Sequence, residues 1–400
     1  MLYEINPDAL KGEITRLGVY RPSVSILADK GRVLALKVTD VRTPAANIIK
    51  QEMLAAGGDC ATPGTAITCA VPRVDIILLG GRKQYDILLY KMRQMPYFGI
   101  PAVVAELERY LRKGPKGTRL ADGRRLTYDR MAVIGILNVT PDSFYAGSRR
   151  QGTDAVLAQA ERMLADGAAI LDIGGESTRP GADPVTAEEE RARVLPAVEQ
   201  VKRRFPEAVV SVDTYRASLA REALAAGADI INDISAMQAD PGMLQAVVDT
   251  GAPIILMHMR GVPKNMQTQC QYDNVVQEVA ASLDERACLL RDRGIGPDKI
   301  ILDPGIGFAK DTPQNLALIQ GLNALTGSEY PVLMAASRKT VIGQVLGGLP
   351  PEERLEGTLA ISAASVYAGA ELVRVHDVRE NVRLIRMLEA IRRAGQEGES

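Results

Sequence analysis

Eight short aliphatic runs, each ending in a polar residue and each followed by a helical stretch, constrain this chain more than any other feature. They are VIGILN (133–138), AAILDIGG (168–175), VVSVD (209–213), DIIND (229–233), PIILMHM (253–259), KIILD (299–303), PVLMAAS (331–337) and ELVRVH (371–376). The segments between them, such as DAVLAQAERML and SLAREALAAG, carry the apolar spacing of amphipathic helices. Several stop at glycine (Gly167, Gly227, Gly251, Gly294), the usual residue just past a helix end. Strands this apolar must be buried on both faces, as parallel sheets covered by helices require. Eight such units between residues 131 and 393 match a (β/α)8 TIM barrel, which typically takes about 250 residues. An open doubly wound sheet is the alternative, because strand count alone does not prove closure.

The rest of the chain is organised differently. Residues 1–112 lack the barrel rhythm but read as a small α/β domain: LALKVTDV and RVDIILLGG as strands, and AANIIKQEMLAAGG, KQYDILLYKMRQM and AVVAELERYLRK as helices. No catalytic constellation is visible there, so docking or oligomerisation is its expected role. Residues 113–130 hold a basic, Gly-rich linker and a hairpin signal, Asp122-Gly123 between two alternating runs, placed to cap the barrel's N-terminal end. Residues 394–400 read as a tail.

Composition narrows the partners. Net charge is −1 over 400 residues, so no basic field draws the chain to nucleic acid or anionic lipid. The opening residues lack the basic region of a signal peptide, and no apolar stretch reaches the ~20 residues of a membrane span. Four cysteines without CxxC spacing read as reduced thiols, and the expected location is the cytoplasm. Only two histidines occur, His258 and His376, which excludes His-rich metal sites.

Both histidines stand at strand ends, and in this fold the active site lies at the strands' C-terminal ends. The residues there are Asn138, Asp172, Asp213, Asn232, His258, Asp303, Ser337-Arg338-Lys339, Arg374 and His376. Any one Asp or Asn could be a turn former, but turn formers need not include Lys, Arg and both histidines. The set is expected to share one mouth with two halves. Arg338, Lys339, Arg374 and His376 come from strands seven and eight and suit a multiply charged anion. Asp213, Asn232 and Asp303 form an acceptor group that complements a flat heterocycle offering N–H donors. Two loops, NVTPDSFYAGS (138–148) and GGESTRPGA (174–182), are long and polar enough to be functional.

The same stretches resemble dihydropteroate synthase. The matching blocks are GILNVTPDSF, LDIGGESTRPGA, SVDT, IINDI, LMHMRGVPKNMQ, LDPGIGF, SRK and RVHDV, in the family's order over residues 131–392. The resemblance implies condensation of 6-hydroxymethyl-7,8-dihydropterin pyrophosphate with 4-aminobenzoate in folate biosynthesis, with Mg²⁺ as cofactor. It assigns Asp172, Asp213, Asn232, Met257, Asp303 and Lys339 to the pterin, and Asn138, Arg374 and His376 to pyrophosphate, with Asn138 also on the metal. Thr178, Arg179, Pro180, Phe308 and Thr340 fall on the aminobenzoate side, where sulfonamides compete. Asp142, Lys339 and Arg374 are the expected catalytic groups, and a homodimer is expected by analogy. The chain departs from the pattern after PDSF: Tyr145-Ala146-Gly147-Ser148 replaces the family's SDGG, which removes one carboxylate; if that group stabilises the cationic pterin, its absence should slow the chemistry or shift work to Asp142. Two rivals remain. A methyltetrahydrofolate-binding methyltransferase would share the acidic residues without needing the SRK and RVH cations. A non-catalytic pterin-binding protein would bind without turnover.

Overall fold

A computed structural model describes residues 1–112, 114–139, 149–176, 185–262 and 265–394. The chain divides into two compact units, Met1–Lys113 with Glu389–Ser400, and Gly114–Leu388.

In the larger unit all eight apolar runs form strands: Ala132–Asn138, Ile170–Gly174, Val209–Asp213, Ile230–Asp233, Ile254–Met257, Ile300–Asp303, Leu333–Met334 and Leu372–Val375. Each pairs in parallel with its sequence neighbour, and the eighth returns to pair with the first, Leu372 opposite Ala132 and Val375 opposite Gly135. The sixth and seventh strands are joined by one parallel bridge, Leu302 to Val332. That bridge closes the cylinder and settles the choice between barrel and open sheet.

The period of two along each strand divides the barrel interior into layers. The lowest holds one aliphatic residue from every strand: Ile134, Ile170, Val209, Ile230, Ile255, Ile301, Leu333 and Leu372, with Leu120 packed among them. Leu120 belongs to the turn of a hairpin, Gly117–Arg119 with Arg125–Thr127, so the expected cap is present. The hairpin starts at Gly117, inside the stretch read as linker. Its turn uses Gly123 at φ 89° and an Asp122 carboxylate that accepts the Arg124 amide at 2.9 Å. Arg124 also donates to Asp229, only 7% exposed, at 2.8 Å, which ties the hairpin to the barrel by a half-buried ion pair. With the lower end closed by apolar packing, ligands have access only from the strands' C-terminal ends.

The smaller unit is a three-stranded antiparallel sheet with Arg73–Gly80 between Leu34–Arg42 and Asp59–Ala61. One face packs against helices Thr43–Ala55, Arg82–Met92 and Ile100–Leu111 through Ile49, Met53, Leu78, Tyr85, Leu88 and Ile100. The α/β expectation holds. The sequence reading did not find the strand Asp59–Ala61, which is three residues long, or the helices Leu10–Arg16 and Arg21–Lys30, of whose apolar side chains only Val24 is buried.

Candidate active site

The site rises from the layer above the aliphatic plug. Asp172 and Ser211 are register partners on neighbouring strands, and Asn232 follows on the next. Asp172 is fully buried and accepts three hydrogen bonds: from Ser211 Oγ at 2.5 Å, Asn232 Nδ2 at 3.1 Å and Arg374 Nε at 2.6 Å. A second guanidinium nitrogen of Arg374 donates to Asp213 at 2.9 Å. One cation thus holds two carboxylates that reach the barrel axis from different strands. Burial pushes the Asp213 carboxyl well above its usual range, and Arg374 opposes that rise. Arg374 is 18% exposed and keeps one edge toward the cavity.

Lys339 provides the second inner cation. Its ammonium donates to the Ile306 carbonyl and lies 4.6 Å from the centre of the Phe308 ring, a cation–π distance. Burial lowers its pKa to about 8, with Asp303 acting against the shift. Asp303 is itself pushed up by burial and drawn back by Lys339. The preceding residue, Arg338, takes a left-handed backbone (φ 56°) and clamps Asp377 with two N–H groups at 2.5 and 2.9 Å. This bend turns Lys339 inward. Ser337 and His376 pair reciprocally, the His376 amide donating to Ser337 Oγ at 3.1 Å while the hydroxyl lies 3.0 Å from Nδ1.

These groups face a cavity of about 1400 Å³. That exceeds the ~300–1,000 Å³ typical of a site for one small molecule, so two ligands side by side fit its size. Of the residues expected at the site, Asn138, Asp213, Phe308, Lys339, Thr340, Arg374 and His376 line it. Asp172, Asn232, Met257 and Asp303 lie deeper, each at most 4% exposed. Asp142, Thr178, Arg179 and Pro180 lie outside the described residues, as does Ala146.

Two expectations need correction. The mouth does not split into a cationic and an acceptor half, because Arg374 is bonded to the acceptor carboxylates themselves. A buried carboxylate needs a cationic or N–H partner, and the inward position on strand eight supplies it. His258 does not face the mouth either. It follows Met257, whose parity is inward, so its imidazole falls on the other side, 4% exposed and 3.0 Å from Lys310 Nζ. Burial and the Lys310 charge lower its pKa to about 3, which keeps the ring neutral.

Sequence reasoning missed Ser211 and Lys310. Ser211 precedes Asp213 by two residues and therefore shares its face, a signal that attention to strand ends alone overlooks. Lys310, 2% exposed and also lining the cavity, stands behind the glycine-rich PGIGF turn, where an isolated charge could have drawn notice.

The Asp172–Arg374–Asp213 cluster yields a stability prediction. Removing one partner of a buried pair typically costs about 3–5 kcal/mol. Asp172→Ala is expected to cost this much in urea unfolding, and more than Asp213→Ala, whose side chain is 11% exposed and better hydrated. Equal or inverted losses would contradict this ranking.

Comparison with known proteins places this geometry. The pterin binding enzyme family model matches residues 134–376. Dihydropteroate synthase of Bacillus subtilis is 44% identical over 267 residues, covering 67% of this chain and 90% of that protein. A solved structure of Burkholderia cenocepacia dihydropteroate synthase complexed with 7,8-dihydropteroate is 42% identical and superposes with a TM-score of 0.64, covering 71% of this chain and 99% of that one. A probable bifunctional folylpolyglutamate synthase/dihydropteroate synthase of Halobacterium salinarum aligns over 96% of this chain at 37% identity, so its likeness includes the amino-terminal region, although only 46% of that protein is covered. The chain belongs to the dihydropteroate synthases, transferases of folate biosynthesis within the pterin-binding enzyme family.

Proposed function

We propose that this chain joins 6-hydroxymethyl-7,8-dihydropterin pyrophosphate to 4-aminobenzoate, forming 7,8-dihydropteroate and releasing pyrophosphate. The observation that carries this reading is the convergence of Asp213, Arg374 and Lys339 on one cavity that also reaches Phe308 and Thr340. Asp213 at the cavity wall, with Asn232 and Asp303 deeper beside it, is assigned to the donor edge of a pterin. Lys339 and Arg374, with His376 at the rim, supply the positive field a pyrophosphate needs. A methyltransferase acting on methyltetrahydrofolate has no such anion to stabilise, so the cations favour the synthase.

In the proposed step the arylamine nitrogen forms a bond to the pterin's exocyclic methylene as the bond from that carbon to the pyrophosphate oxygen breaks. The electron pair leaves on pyrophosphate, and the new amine loses one proton. No side-chain nucleophile is required. The residues orient both partners and oppose charge as it develops, the usual dominant contribution. We assign Asp142 to stabilise positive charge on the dihydropterin, and Phe308, Thr340 and the Thr178-Arg179-Pro180 segment to hold the acceptor.

Asn138 is the candidate ligand for Mg²⁺. Among the described residues no cluster of three or more His, Cys, Asp or Glu side chains is arranged to hold a metal. One exposed amide oxygen at the cavity edge suits an ion that commonly keeps several waters and completes its shell with phosphate oxygens. When bound there, Mg²⁺ would neutralise charge on the leaving group.

We also propose a homodimer. On the helix Leu355–Tyr367, Ala360, Ala364 and Tyr367 are exposed along one side, Tyr367 at 61%. Sedimentation velocity should give twice the chain mass, and Tyr367→Glu should shift it toward one. A wild-type monomer at micromolar concentration would refute the dimer.

For the reaction, pyrophosphate release should require both the pterin pyrophosphate and 4-aminobenzoate, and should depend on Mg²⁺. Tight pterin binding without release would instead favour a binding protein. Because Lys339 is charged only below about pH 8, kcat/KM for the pterin pyrophosphate should fall as pH rises through that value. Lys339→Arg, which stays protonated, should lose this alkaline limb. A limb that persists unchanged in the variant would assign the titration elsewhere.

A further inference from the structure

The turn that follows the sixth strand carries two of the groups used above, and it folds around a charge that the reaction itself does not use. Lys310 Nζ lies 2.8 Å from the Phe308 carbonyl, 3.0 Å from that of Gly305, 3.4 Å from that of His258 and 3.0 Å from His258 Nδ1. Three backbone carbonyls and one imidazole nitrogen surround it, a shell that suits an ammonium, while burial lowers its pKa to about 7 with Asp303 acting against the shift. The turn also depends on Gly305, at φ 67°, where a Cβ would collide with the His258 carbonyl oxygen. From this turn the Phe308 ring faces the cavity, and the Ile306 carbonyl receives the Lys339 ammonium.

We propose that Lys310 is a positioning residue that pre-organises both substrate subsites by holding residues 304–309 in one conformation. Its hold on the Phe308 carbonyl sets the acceptor side, and through the Ile306 carbonyl the same turn sets Lys339 on the pterin side. This rests on the substrate assignment above. Without the ammonium the turn samples other conformations, and each substrate must select the competent one. Apparent affinity then falls by the fraction of competent molecules, while saturating substrate restores the native arrangement. The signature is a rise in KM with kcat nearly kept. A role in global stability alone would lower kcat by loss of active molecules and leave KM unchanged.

The test uses the full chain carrying Lys310→Met, which keeps length and removes the charge. KM for 4-aminobenzoate and for the pterin pyrophosphate, each measured with the other substrate well below saturation, should rise about tenfold, with kcat at saturation of both within about twofold of wild type. In Lys310→Ala, added ethylammonium should lower both KM values and ethanol should not. Should the Met variant fail to fold, Lys310→Gln, which retains an N–H donor, gives the same pattern at smaller amplitude. Unchanged KM, or a fall in kcat alone, would overturn the proposal. Titration of pterin pyrophosphate by its fluorescence separates this from failure of the proposed reaction. Should the wild type bind it without turnover, the reaction fails, while weaker binding by Lys310→Met still supports the positioning role and equal binding refutes it.

Discussion

The guanidinium of Arg374 between Asp172 and Asp213 is the interaction on which the site depends. A carboxylate placed at the axis of an otherwise aliphatic barrel loses its water, and the cost is several kcal/mol unless partners replace that water. Asp172 meets the condition with three donors from three other strands, which is possible only because closure brings the second, third, fourth and eighth strands around one axis. The cluster therefore requires the barrel, and the barrel tolerates these charges only because the cluster is complete.

From that centre the remaining groups follow by proximity. Arg374, Lys339 and Asp213 all line the same cavity, so a ligand entering it meets both cations and a carboxylate. The aliphatic plug around Leu120 removes the other entrance. Glycines at 305 and 307 let the sixth loop bend back tightly enough for backbone carbonyls to reach two lysines. Rigid strands thus supply position, and one tight turn supplies the approach of backbone to side chain.

Much of this was legible in the chain. The aliphatic runs announced the strands, because a parallel strand buried on both faces tolerates few other residues, and the polar residue at each run's end announced the mouth. Asp213, Asn138, Lys339, Arg374 and His376 were found this way and do face one cavity. His258 was misplaced because a strand end does not say on which side the next residue falls. Parity from Met257 decides that, and it becomes certain only once the register is known. Lys310 went unread because its partners are mostly backbone carbonyls, which leave no trace in side-chain composition.

The sequence by itself determined the fold class, the end of the barrel that carries chemistry and the residue types gathered there, since burial and strand periodicity are properties of local pattern. Only the tertiary structure decided which charges neutralise one another. Asp172 and Arg374 are separated by about two hundred positions, and their pairing exists because the eighth strand closes against the first. Closure is a long-range event whose energy is spread over every strand. No local window contains it, and so the division of the mouth into cations and acceptors, reasonable from the chain, gave way to a single interlocked network.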